Sequence, residues 1–163
     1  MSLFFLDQQK PTEQIDCLVV NTGQSELLFP MPAVAEIIHN QPALTGEKLP
    51  KWVAGWIQWR HLNIPLIDFS AMQQNRAASN FGSSTRILVL NSFCEGHSHK
   101  YYAIISKGFP HTLQVEADGD LSSKGMEGAE PCIKIDLVLE GKTFLLPDFE
   151  AIETYLAKIP LYF

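Results

Sequence analysis

Residues 51–69, KWVAGWIQWRHLNIPLIDF, are mostly apolar with a few interspersed polar residues, and they hold all three tryptophans of the chain. Two runs, residues 54–60 and 62–67, place apolar side chains at every second position, so one face of each run is continuously apolar. The runs meet at Arg60 and His61, and we predict a β-hairpin. A two-residue connection usually has Gly or Asn to reach positive φ. Because neither stands here, we expect a loosened turn, although histidine visits that region more than most residues do.

Further short apolar or alternating runs predict strands on both sides of this hairpin. Before it they lie at residues 16–20 and 26–29, and residues 34–38 are compatible with either a helical turn or a strand. After it they lie at residues 86–90, 101–105, 112–115, 132–140 and 143–146, the last two joined at Gly141 and Lys142. Residues 86–90 are apolar on both faces, as in a central strand. Short strands at this spacing are typical of small β-barrels.

The remaining segments predict a leader, a seam, a loop and two helices. Residues 1–14 are expected to be a flexible leader. Residues 70–85 are expected to be a seam, that is, a boundary between two successive groups of about five strands each. One or two helical turns should follow Asp68. Residues 118–129, rich in acids and glycines, are expected to form an exposed loop. Asp148 stands at an N-cap position, and apolar residues at helical spacing up to Pro160 predict a C-terminal amphipathic helix.

Composition indicates one ordered globular domain. The chain has 163 residues, of which 46% are hydrophobic and 18% charged, and its net charge is −6. Binding to nucleic acid needs clustered Lys and Arg, and only 12 such residues are spread along the chain. No secretory signal and no run of about 20 apolar residues is present. Three distant cysteines do not suggest a disulfide framework, so we expect a cytoplasmic protein without direct membrane insertion.

Candidate catalytic and metal-binding motifs are weak. Cys94, His97 and His99 have donor atoms that zinc accepts, but a fourth ligand is not evident nearby. No nucleophile elbow or local Ser-His-Asp signature occurs. We therefore predict no metal site, no cofactor and no enzymatic activity. The alternative hypothesis is a small β-barrel that binds a small molecule or a metal ion through the tryptophans or the Cys94 loop.

The tryptophans and the residues around Glu36 can be assigned to strand faces. Trp59 should point inward with Ile57, whereas Trp56 should face the other way and is equally compatible with the core or an interface. In an unbroken strand Val34 and Glu36 share one face and Ile37 takes the other. We expect Ile37 in the core.

An ordered series of loosely specified positions runs through the first half of the chain. Its parts are V-x-E-I, then P-x-x-V-x-G, then R-x-x-x-x-P-x-I-D-F. It is carried by Val34, Glu36, Ile37, Pro50, Val53, Gly55, Arg60, Pro65, Ile67, Asp68 and Phe69.

In this series the chain resembles the CheW-like domains, coupling proteins of bacterial chemosensory arrays. The resemblance implies a mainly β fold of two small SH3-like five-stranded β-barrels packed on a shared core, here residues 15–163, and favours a strand over 34–38. It also implies a non-enzymatic adaptor that couples the cytoplasmic tip of a methyl-accepting chemoreceptor to a CheA-type histidine kinase.

The resemblance also indicates partner-binding residues. Arg60 would present a planar donor fork to a partner's carboxylate or carbonyl groups, and the family's arginine at this position is implicated in array contacts. Val34 and Glu36 match the strand that, in the family, docks the kinase's regulatory domain. The full predicted set is Val34, Glu36, Trp56, Arg60 and Asp68.

The chain departs from the family pattern beside this arginine. Gln58 replaces an asparagine, His61 replaces a glycine, and residues 106–109, SKGF, replace a frequent valine–aspartate pair. These changes indicate a divergent coupler, which we assign to a pilus-type (twitching) chemosensory system.

Overall fold

Eleven strands and two α-helices are present in the computed structural model, which describes residues 14–79, 82, 84–93, 99–116, 125–128 and 130–162. The helices are α1 (Phe69–Gln74) and α2 (Phe149–Leu156), and a 3-10 turn spans Met31–Ala33. The strands are β1 (Gln14–Asn21), β2 (Glu26–Pro30), β3 (Val34–His39), β4 (Val53–Trp59), β5 (Leu62–Ile67), β6 (Thr85–Asn91), β7 (Tyr101–Lys107), β8 (His111–Glu116), β9 (Gly125–Glu127), β10 (Ile133–Leu139) and β11 (Lys142–Pro147). The predicted leader, apart from Gln14, lies outside the described residues.

The strands form two sheets that draw on both halves of the chain. One sheet has six strands in the order β8-β1-β2-β11-β10-β9, and the other has five in the order β3-β6-β7-β5-β4. The segment expected to be a seam, residues 70–85, connects β5 to β6 within the five-stranded sheet, so it does not separate the two sheets. The chain passes between the sheets after β2 and again after β7, which intertwines the two subdomains.

Each sheet curls around a small apolar cluster, and a larger cluster lies between the sheets. Ile57 and Trp59 belong to the cluster of the five-stranded sheet, whereas Val19 and Leu137 belong to that of the six-stranded sheet. The larger cluster combines residues from both sheets and both helices, including Leu18, Leu27, Phe29, Trp52, Trp56, Ile67, Leu88, Tyr102, Ile104, Phe69, Ile152 and Leu156. The predicted mainly β fold, with two barrel-like subdomains on a shared core and a C-terminal helix, is confirmed.

The tryptophan hairpin is confirmed, but its turn is tighter than expected. Trp59 pairs directly with Leu62, so the connection is only two residues long. Arg60 and His61 both adopt positive φ, 48° and 63°, which is the backbone of a regular two-residue hairpin turn. Two side chains that normally avoid this region are held there by the ladders on either side.

The same hairpin–helix unit occurs again 80 residues further along the chain. In the first unit, β4 and β5 lead to Asp68, whose carboxylate accepts a hydrogen bond from Ala71 N at 3.1 Å as the cap of α1. In the second, β10 and β11 lead to Asp148, whose carboxylate accepts one from Ala151 N at 3.1 Å as the cap of α2. The predicted N-cap is confirmed. The turn of the second hairpin is Glu140-Gly141, one residue earlier than predicted.

Three further local predictions were wrong. Ile37 is 40% exposed, because a bulge between Val34 and Glu36 breaks the alternation of β3. Helix α2 ends at Leu156, three residues before the last periodic apolar position. Part of the expected acidic loop, Gly125–Glu127, is strand β9, which pairs with β10. The loop's residues 118–124 and 129 lie outside the described chain.

Candidate partner-binding site

Arg60 stands at the tip of the first hairpin with its side chain largely in solvent. Its Nη2 atom lies 3.0 Å from Glu36 Oε1, and the exposed fractions of the two side chains are 66% and 41%. The guanidinium lies 4.6 Å from the centre of the Trp59 ring. Trp59 is itself buried and packs on Tyr101 with ring centres 4.8 Å apart. A fixed aromatic surface and one carboxylate therefore hold the arginine in place.

The bulge in β3 determines which residues accompany Glu36. Val34 packs against the large central cluster, whereas Ala35 and Ile38 pack against the cluster inside the five-stranded sheet. The expectation that Val34 and Glu36 share one face of a regular strand was therefore wrong. Ile37 is left exposed beside Glu36.

Leu62, next to the hairpin turn, is 45% exposed. We call Glu36, Ile37, Arg60, His61 and Leu62 the hairpin-tip surface. It combines an exposed ion pair with two exposed aliphatic side chains, the composition of the rim of a protein–protein contact.

Trp56 lies in the core. It is only 5% exposed, its ring contacts those of His99 and Tyr162 at 6.0 and 5.5 Å, and its backbone pairs with Leu44. Of the two locations considered for this side chain, the structure shows the interior. A partner-binding role for Trp56 stays a prediction, and burial restricts it to positioning the strand that carries Arg60.

Asp68 is also buried, at 7% exposed. Besides capping α1, its carboxylate accepts a hydrogen bond from Ser79 N at 3.0 Å and lies 3.8 Å from Arg76 Nη1. These contacts tie the end of β5 to the segment after α1. Its predicted contact with a partner stays untested, and its observed contacts are all within the chain.

Of the three residues with zinc-binding donors, only His99 is described. It is buried, and one ring nitrogen lies 2.8 Å from the carbonyl oxygen of Ile159. Among the described residues no group of three His, Cys, Asp or Glu side chains is arranged to hold a metal ion. Cys94 and His97 lie outside the described chain.

The pairing of Arg60 with Glu36 was missed by sequence reasoning, which singled out both residues but separately. They are 24 positions apart, and no local pattern links them. The pair forms because β3 and β4, the two edge strands of the five-stranded sheet, approach each other as the sheet curls.

Fold and site together define a β protein of two barrel-like subdomains with an exposed, ion-paired hairpin tip. The family model of the CheW-like domain matches residues 16–154, and the chain belongs to this family. The scaffolding protein TtCheW of Thermoanaerobacter tengcongensis has a similar solved structure, with a TM-score of 0.66 and 11% sequence identity over 83% of this chain and 89% of that one. Among curated proteins none matches this chain. In the described residues, no helix has the length and apolar character needed to cross a membrane.

Proposed function

We propose that this chain is a non-enzymatic adaptor that couples the cytoplasmic tip of a methyl-accepting chemoreceptor to a CheA-type histidine kinase. Membership of the CheW-like domain family and likeness to a solved scaffolding protein support the role of a scaffold. The observation that carries the proposal is the ion pair of Arg60 with Glu36 at the hairpin tip. The adaptor would act in the cytoplasm, at the inner face of the membrane where receptor arrays lie.

A role in recognising a partner explains the ion pair of Arg60 and Glu36 better than a contribution to folding stability does. An ion pair between two exposed side chains contributes at most about 1 kcal/mol to folding. Arginine, however, has five donor hydrogens in a planar fork, and Glu36 engages only Nη2. The remaining donors can bind a partner's carboxylate or carbonyl oxygens, while Trp59 beneath the guanidinium limits the orientations it can take.

The partner contact would join this fixed charge pair to neighbouring apolar area. Ile37 and Leu62 are exposed beside it, and burying aliphatic surface supplies affinity while charges fix orientation. Because the adaptor favours whichever receptor or kinase state it binds more tightly, it transmits a signal by shifting that equilibrium.

Co-purification from the native bacterium tests the proposal. The wild-type chain should recover a histidine kinase and a chemoreceptor, whereas Arg60→Glu should recover much less of the kinase. Lys134→Glu, the same charge change on an exposed residue of β10, is the matched control and should behave as the wild type. Recovery of neither partner by the wild-type chain would refute the adaptor function. Equal recovery by wild type and Arg60→Glu would remove Arg60 from the interface.

Partner identity also tests the assignment to a pilus-type chemosensory system. Gln58 and His61, which depart from the family pattern, flank Arg60 in the hairpin. Since they border the proposed contact, they favour a partner that differs from the usual one. Recovery of a kinase encoded with pilus functions would support this assignment, and recovery of a flagellar-type kinase would refute it.

A further inference from the structure

The two curled sheets differ in how their edges meet. In the five-stranded sheet, β3 and the residues after it reach the edge strand β4. Besides the ion pair of Glu36 and Arg60, Gln41 Nε2 donates to Gln58 O at 3.3 Å, and the backbones of Leu44 and Trp56 form two hydrogen bonds of 2.8 and 2.9 Å. The chain's own residues 41–44 thus bond to the edge strand β4.

In the part of the chain that the structure describes, the six-stranded sheet is open at the corresponding place. A groove of about 370 Å³ lies between its edge strand β8 and the hairpin of β10 and β11. One wall contains Leu113 and Val115, and the other contains Leu139 and Phe144. Leu113 and Leu139 remain partly exposed although they pack against the cluster inside this sheet. The groove therefore exposes part of the barrel's interior to solvent.

The rim of the groove is charged, and the one cation among its described residues is already engaged in an ion pair. Glu116, Glu140 and Lys142 line this rim. The Lys142 Nζ atom lies 2.8 Å from Glu26 Oε2 and 5.5 Å from the centre of the Phe144 ring. An anionic ligand would have to compete with Glu26 and face two further carboxylates. The groove is suited instead to apolar side chains that fill its floor, and β8 still has one edge without a strand partner among the described residues.

The sequence contains such side chains a short distance before Gln14, whose partner borders the groove. The first residue of β1, Gln14, pairs with Glu116, which lines the groove. Of the residues that precede it, residues 3–6 read Leu-Phe-Phe-Leu, and residues 7–13 connect them to Gln14. Seven extended residues span about 25 Å, more than the roughly 20 Å length of a six-residue strand such as β8. The connection is long enough to reach any part of the groove.

We propose that this groove is a docking site for residues 3–6 of the same chain. Two phenylalanines and two leucines match its apolar walls, and their burial would be favourable by about 25 cal/mol per Å² of apolar surface. Residues 117–124, ADGDLSSK, also adjoin Glu116, but they contain one leucine and no aromatic side chain. The apolar tetrapeptide is the better match.

A spin label tests this in the full chain. A nitroxide attached at Ser2→Cys in a Cys94→Ser background leaves residues 3–6 intact. Cys17 and Cys132 are buried and react poorly, because burial raises the pKa of both thiols, that of Cys132 to about 11. Methyl resonances of Leu113, Val115 and Leu139 should lose intensity, while those of Leu62, in the other sheet, should not. Reduction of the nitroxide should restore the lost intensity.

The matched control carries the same label together with Phe4→Ser and Phe5→Ser. These substitutions lie outside the described core, and the groove methyl signals should recover most of their intensity in this variant. Groove signals that are broadened no more than those of Leu62, or broadened equally in both labelled proteins, would overturn the proposal. The experiment needs no partner, so its outcome is independent of the adaptor function.

Discussion

At the scale of single residues, Gly55 combines a positive φ with a lack of space for any side chain. Its φ is +147°, and a Cβ atom placed there would lie 2.5 Å from the carbonyl oxygen of Leu44. We expect Gly55→Ala to lower the free energy of unfolding by roughly 2–4 kcal/mol, since it combines backbone strain with a clash against the main chain. Urea denaturation measures the change.

Gly141 provides the matched control for this substitution. It also has positive φ, +79°, but a Cβ atom at this position would have no neighbour within 4 Å. Gly141→Ala should therefore show only the cost of the left-handed backbone, about 1–2 kcal/mol. If the two variants lose equal stability, the close approach of Leu44 is not what requires glycine at position 55.

Cys132 gives a prediction for alkaline pH. Burial, followed by the charge of Asp148, raises the pKa of its thiol from 9.0 to about 11. Because the folded state holds this proton more tightly than the unfolded state does, the stabilisation is fully present below about pH 9. It is lost as pH rises toward 11.

Cys132→Ala should therefore show a shallower loss of stability over that interval than the wild type, by on the order of 1–2 kcal/mol. The free energy of unfolding is measured near pH 8 and near pH 11 for both proteins. Subtracting the change found for the variant from that found for the wild type removes the effect of the lysines and tyrosines that the two proteins share. Parallel pH profiles would show that the thiol is not coupled to folding.

At the scale of elements, the two helix caps should differ in their contribution to stability. Asp148 caps α2 through one hydrogen bond to Ala151 N, so Asp148→Ala should cost about 1 kcal/mol and Asp148→Asn only a few tenths. Asp68 caps α1, accepts from Ser79 N and lies beside Arg76. Asp68→Ala leaves more groups without a partner and should cost about 2 kcal/mol or more. Thermal unfolding that ranks Asp148→Ala as the more harmful change would contradict this account.

Local pattern was sufficient to predict most elements. Each of three elements depends on residues that are close in sequence. Alternating apolar positions predict the first hairpin, a run that is apolar on both faces predicts the central strand β6, and an aspartate before an apolar helical stripe predicts the cap of α2. The bulge that exposes Ile37 was not predictable, because its pairing with β6 involves residues about 50 positions away. The tight turn at Arg60 and His61 was missed since both residues usually avoid its backbone region.

At the scale of the whole molecule, the sequence pattern did not indicate how the strands are shared between the sheets. Strand β2 pairs in parallel with β11, and β5 with β7, and nothing local to these strands selects those partners. The shared core and the contact of Arg60 with Glu36 both result from this long-range arrangement. The candidate site residues were therefore predicted one by one, and the contact between Arg60 and Glu36 is seen only in the structure.

The central claim is that the hairpin tip binds a partner, and the most direct test is a calorimetric titration with the regulatory domain of the co-purified kinase. The account predicts that Arg60→Glu weakens binding at least tenfold, about 1.4 kcal/mol, with thermal stability changed by less than about 1 kcal/mol. Lys134→Glu should bind as the wild type does. An affinity for Arg60→Glu equal to that of the wild type, with both proteins folded, would contradict the claim.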